Sequence, residues 1–321
     1  MKFLILIFRF VGVIQMCLLL SVNGSAIADS GFSDITGNLE YCTKDGQAIV
    51  RIPLPSTRME NVFRIGHGFI LSHDTIKDGN MRALCIITDL GEPRELALLR
   101  KDKLSIIKNA GPCFLPSFSH DGRQIACVNK RGIFLWSLES TSERIFSDFL
   151  YDTRSKPSWT PDDKTIVVSS DDWHIYLVDI VTGARKEIIN FGRRPAVSSD
   201  GKKIAYLSRE SDEEDKKLLR QSSRYAGAYD KFLKQLNWWK RLTWDDRPAI
   251  YIYDIATGKS ERITDYLYID PPLIWSPDGR YLAYTERWAA TTRNICVLNV
   301  HTHKVKKIPD LQGDVMAWTD K

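Results

Sequence analysis

Few side chains in this chain have the type and spacing that chemistry requires. His67 and His73 stand six apart in GHGFILSH and could share one strand face, offering two nitrogen ligands to a metal, but no third ligand lies nearby in sequence. His301 and His303 flank a predicted turn far downstream. Asp171-Asp172-Trp173-His174 brings carboxylates, an indole and an imidazole into one short polar stretch. That mixture suits a binding loop as readily as it suits plain solvation. No G-x-S-x-G elbow, phosphate loop, H-E-x-x-H helix or paired-cysteine metal motif occurs. The elements that would have to position such residues are far more legible than any reaction.

Those elements repeat. PSFSHDGRQIACV at 116–128, PSWTPDDKTIVVS at 157–169, PAVSSDGKKIAYL at 195–207 and PLIWSPDGRYLAY at 272–284 align without gaps. Their turn aspartates, Asp121, Asp162, Asp200 and Asp278, are spaced 41, 38 and 78 apart, the last being about two periods. A second phrase follows each: HIYLVDIVTGARKEI at 174–188, AIYIYDIATGKSERI at 249–263 and NICVLNVHTHKVKKI at 294–308. Weaker copies occur at 132–145 and 84–96. Asp-Gly and Thr-Gly between apolar alternations are hairpin signals, because glycine enters positive φ without a steric penalty. The turn aspartates themselves read as structural, since carboxylates in tight turns bond nearby backbone amides.

Four short strands per unit of roughly 40 residues is the composition of a propeller blade. The sequence predicts an all-β, six-bladed β-propeller of four-stranded antiparallel blades. Five blades begin near residues 63, 113, 157, 195 and 272. The sixth is composite, with NLEYCTKDGQAIVRI at 38–52 as its third and fourth strands and the C-terminal VMAWTDK as its first. Six blades of about 42 residues account for the chain once one insertion is set aside.

The W-S-P-D-G turn, the basic-x-[IL]-A-[YF] strand and the I-Y-x-x-D-x-x-T-G phrase resemble the TolB-type (WD40-like) propeller repeat, clearly over 110–321. There is no room for the separate N-terminal domain of that family. The resemblance implies a periplasmic propeller that binds a partner over its channel. Oligogalacturonate lyases are similar in repeat and use a histidine-rich channel metal site, which the six histidines here do not assemble.

The bulk figures agree with export and set limits. MKFLILIFR, an apolar run of eleven and the small-residue end SVNGSAIA read as a signal peptide over 1–28, leaving 29–321 as the propeller. The alternative is an uncleaved anchor, although the run is shorter than the ~20 residues a span needs. A charge of +5, of which Lys2 and Arg9 belong to the leader, argues against nucleic acid as a partner. Cys85 and Cys296 lie in apolar strands and read as small hydrophobes. Cys113 and Cys127 flank one predicted hairpin and could pair.

One blade is interrupted over about 210–247. Ser211 and Glu214 form a capping box, and Leu218, Tyr225, Phe232 and Trp239 recur every seven residues. This predicts an amphipathic helix with eight basic residues and one acid over 216–241. In a four-stranded meander the second loop and the inter-blade crossing share one face. The insertion, with Trp238 and Trp239, therefore joins Lys156, Asp171, Trp173, His174, Arg193, Arg194, Arg287 and Trp288 around one channel mouth. Arginine and aromatic residues are favoured anchors. The expected function is a non-enzymatic exported scaffold without cofactor or metal, holding a protein or peptide partner. The alternatives are a glycan partner, a channel-site glycan lyase or hydrolase, and a membrane-surface scaffold using the basic helix.

Overall fold

The computed structural model describes residues 33–320, apart from 57, 90–93, 109, 111, 130, 141–142, 147–150, 209–247, 266–268, 288–292 and 309–312. Among the described residues there is no helix, and twenty-four strands, β1 to β24 in chain order, form six four-stranded antiparallel sheets. Blade one is composite, in the order β24 (Gly313–Thr319), β1 (Gly37–Thr43), β2 (Ala48–Leu54) and β3 (Glu60–Arg64). Blades two to six follow as β4–β7 (69–106), β8–β11 (117–146), β12–β15 (158–190), β16–β19 (193–262) and β20–β23 (269–308). The first strand of each blade contacts that of the next, and β20 meets β24 to close the ring.

The core is six apolar layers, one between each pair of adjacent blades. Strand β17 (Lys203–Ser208) shows why its sequence is apolar throughout rather than alternating. Ile204 and Tyr206 pack toward blade four, whereas Ala205 and Leu207 pack toward blade six. Successive side chains leave opposite faces of a strand, and here both faces are buried.

The turn chemistry repeats as closely as the sequence. The Ser119 hydroxyl donates to Asp121 at 2.6 Å, Asp121 accepts the Arg123 amide, and the Gln124 amide returns to Ser119. Thr160–Asp162, Ser198–Asp200 and Ser276–Asp278 reproduce this geometry. The hydroxyls of Thr160 and Ser198 hold Asp162 and Asp200 below the usual carboxylate range. The turn aspartates are therefore structural, as expected. Asp163 stands where three other copies carry glycine, at φ 54°, and its carboxylate accepts the His120 and Asp121 amides of the neighbouring blade.

Blades one and two differ from the sequence-based register by one strand. Residues 38–52 are the second and third strands of blade one, not the third and fourth, because β3 supplies the outer strand that residue 63 was expected to leave for blade two. Similarly, 84–96 spans the end of β5 (Met81–Ile87) and the start of β6 (Glu95–Arg100), the second and third strands. The first-to-second turn of blade two is Asp78-Gly79, where Asp78 accepts the Asn80 amide. Ile76 replaces the usual Ser or Thr there, which hid the copy. Cys113 and Cys127 are joined by a disulfide, settling the pairing that sequence left open.

Each innermost strand leaves one backbone edge facing the channel, and in blades one, three and five side chains of neighbouring blades cover it. Trp159 Nε1 donates to Ser117 O at 3.1 Å, and Trp275 Nε1 donates to Ala196 O at 2.8 Å. Asp74 accepts the Phe118 amide at 2.7 Å, Ser158 accepts the Val197 amide at 2.8 Å, and Thr285 accepts the Val315 amide at 3.0 Å. The motif tryptophan is thus a blade-to-blade cap as well as packing. At the closing seam, β24 and β1 approach so tightly that a Cβ at Gly313 would lie 2.1 Å from Cys42 O.

A polar network spans the junction of blades one and two. Glu40, fully buried, accepts from Arg82 Nη2 at 2.6 Å, Arg82 Nε at 2.9 Å and Arg51 Nη2 at 3.0 Å. His73, also buried, lies 3.5 Å from Glu40 through Nε2 and 3.1 Å from Cys42 Sγ through Nδ1. Burial pushes the Glu40 carboxyl up, but its contacts with His73 and Arg82 more than offset this and leave it well below its ordinary value. Burial holds His73 below its ordinary value, so it is neutral at pH 7.

Two outcomes follow from these contacts. Trp275→Phe keeps the ring but strands the Ala196 carbonyl, and should cost about 1–3 kcal/mol in urea unfolding while the circular dichroism of the fold persists. In acid, the unfolded chain binds a proton on His73 below its ordinary 6.5, and on Glu40 below its ordinary 4.5, that the native state refuses. Stability should therefore be complete above pH 6.5 and fall steadily as pH drops. The thermal midpoint of His73→Asn, lower at pH 7, should change less than wild type between pH 7 and pH 5.

Candidate functional site

The crossing-loop face is built by the segments that enter blades four and five and by one tight second-to-third turn. Asp152 and Ser155 form a turn before β12 (Ser158–Trp159), held by Ser155 N to Asp152 O and Arg154 N to Asp152 Oδ1. Asp171 to His174 connect β13 (Thr165–Ser169) to β14 (His174–Asp179), where the Ser170 hydroxyl donates to Asp172 and accepts the His174 amide. Arg193 and Arg194 open β16 (Arg193–Val197).

These three segments converge. The Arg193 guanidinium donates to buried Asp152 at 2.8 and 3.2 Å and lies 4.5 Å from the centre of the Trp173 ring. Burial raises the Asp152 carboxyl, but the adjoining Arg193 charge and the Arg154 amide bring it below its ordinary value. Partial burial and the neighbouring Asp152 charge push Asp171 upward instead. His174 Nδ1 lies 3.1 Å from Glu187, and its ring lies beside Tyr176 and Phe191. Trp173, Phe191 and Arg194 all have positive φ, of 73°, 66° and 55°. Bulky residues seldom adopt this conformation, and such strain concentrates at functional sites.

Of the ten residues singled out from sequence, Asp171, Trp173, His174, Arg193 and Arg194 lie together here. Lys156 does not present its charge to this face. Its Nζ reaches across the bore from blade four to Asp74 Oδ1 at 2.7 Å and to Met316 O, on opposite blade one, at 3.0 Å. The expectation placed it among the crossing loops; a half-buried carboxylate across the channel claims it. Arg287 ends β21 (Tyr281–Arg287) as an exposed residue. Trp238, Trp239 and Trp288 lie outside the described residues, as do the predicted helix and its basic stretch at 216–241. The gap from 209 to 247 does join the second strand of blade five, β17, to its third, β18 (Ala249–Asp254).

Asp152 was missed. The signal for it was the D-T-R-S run, a turn sequence with an acid at its first position. The histidine pair does not assemble either: His67 is exposed against Asp89, and His73 is sealed in the blade junction. Among the described residues, no group of three His, Cys, Asp or Glu side chains could hold a metal ion.

The opposite mouth, framed by the first-to-second turns, opens into a cavity of about 310 Å³. Lys156 and Asp74 line it together with Trp159, Trp275, Trp318 and Pro195.

No protein-family model matches the chain, and no curated protein does. Solved structures do. TolB from Acinetobacter baumannii is 21% identical, with a TM-score of 0.68 over 91% of this chain and 69% of that one. A TolB described as putative, from Agrobacterium tumefaciens, is 18% identical, with a TM-score of 0.60 over 87% of this chain and 91% of that one. A chain of a nidogen/laminin complex is 12% identical, with a TM-score of 0.59 over 88% and 97%. This chain therefore has the six-bladed propeller fold of the TolB structures.

Proposed function

We propose that the protein is an exported, non-enzymatic binding scaffold that holds a protein or peptide partner on its crossing-loop face. The observation that carries this reading is the Trp173–Arg193 pair, an arginine stacked on an indole and fixed by a buried aspartate, presented from backbone in strained conformations. Arginine and tryptophan on a rigid scaffold are the residue types that dominate recognition energy. The leader-like N-terminus and the Cys113–Cys127 disulfide support a periplasmic or otherwise oxidising location. The likeness to TolB and to a chain of a nidogen/laminin complex supports protein recognition over glycan chemistry.

The test is affinity capture from a periplasmic extract with the mature chain, comparing wild type with Trp173→Ala and with Arg193→Ala. Truncating an anchor should weaken capture of the bound partner by about tenfold or more. Arg123→Ala, on the opposite face, should leave it intact. Capture unchanged in both anchor variants, or lost equally in the Arg123 variant, rejects this face as the recognition surface.

A further inference from the structure

The second mouth carries a separate site. The Lys156 ammonium has three N–H donors. Two of them are accounted for, by Asp74 and by Met316 O, and among the described residues the third has no acceptor. Lys156 and Asp74 both line the cavity and are each only 13% exposed, so solvent has little access to that remaining donor. The other Asp74 oxygen accepts the Phe118 amide.

The walls between Lys156 and the turns combine indole and aliphatic surface with serine hydroxyls. Trp159 and Trp275 have given their indole N–H groups to backbone carbonyls, so they offer ring surface rather than donors. Trp318 has done the same toward Thr36 O. Leu273, Ile274 and Pro195 add apolar surface, while Lys77 and His120 stand near the turns. A pocket with three indole faces and a cationic donor at the end away from the turns suits an anion carried on a hydrophobic body.

We propose that this cavity binds a carboxylate attached to an apolar side chain, with the carboxylate on Lys156 and the side chain against the tryptophans. A free N-acyl amino acid and the C-terminal residue of a peptide share this chemistry. The volume of about 310 Å³ suits one such residue.

Calorimetric titration of the mature wild-type chain tests this without any variant. N-acetyl-leucine should bind with one-to-one stoichiometry, and N-acetyl-leucinamide at least about tenfold more weakly, the loss expected for one charge-assisted hydrogen bond. Ala-Ala-Leu with a free carboxyl end separates the two sources: tighter binding than the N-acyl acid marks a chain end, weaker binding a free acid. No binding of any of the three, or equal binding of acid and amide, overturns the proposal. The paired variant Lys156→Met with Asp74→Asn removes both charges together and leaves an acceptor for the Phe118 amide. It should fold, by its circular dichroism and cooperative melt, and lose the preference for acid over amide. A folded variant that kept that preference would also overturn the proposal.

Discussion

Everything in this propeller answers to one requirement: each blade turns an unpaired strand edge toward the channel, and those backbone groups need partners. An unsatisfied buried N–H or C=O costs about 1–3 kcal/mol, and six edges carry many of them. Solvent could meet the need only in a wide bore. Here the neighbouring blades meet it instead, through the indoles of Trp159 and Trp275, the Asp74 carboxylate and the Ser158 and Thr285 hydroxyls. Blades one, three and five are thereby completed by their neighbours, and none of the three is a finished unit alone.

The seam has the harder task, because the strands of blade one come from both ends of the chain. Covalent continuity helps the other five blades but cannot help there. Density of contact replaces it. Gly313 and Gly37 let β24 and β1 come closer than any side chain would allow, and Trp318 Nε1 ties the end to Thr36 O. Next to the seam, Glu40 gathers two arginines and a histidine from β2, β4 and β5. Such a buried network is weak evidence for stability, but it has few alternative arrangements, and register is what a seam must fix.

The blades were legible because hairpin turns write themselves locally: Ser or Thr two residues before Asp, then Gly, is a complete set of hydrogen bonds within six residues. The same locality explains the slip in blades one and two. Ile76 removed the hydroxyl from one turn, and Asp45-Gly46 put the familiar turn one strand later than in the other copies. The crossing-face cluster was half legible, since topology alone placed Trp173 and Arg193 on one face. Asp152 and the true engagement of Lys156 were not, because their partners lie 41 and 82 residues away. Of the Glu40 network only His73 stood out, and in a different role; the others are single polar letters inside apolar strands of two different blades.

The Lys156 bridge runs from blade four to the opposite side of the ring, at blades one and two. A hoop braced along one diameter is stiff on that axis and softer on the perpendicular one. Here one end of that brace, at Met316 O, sits in the strand that splices the two chain ends together.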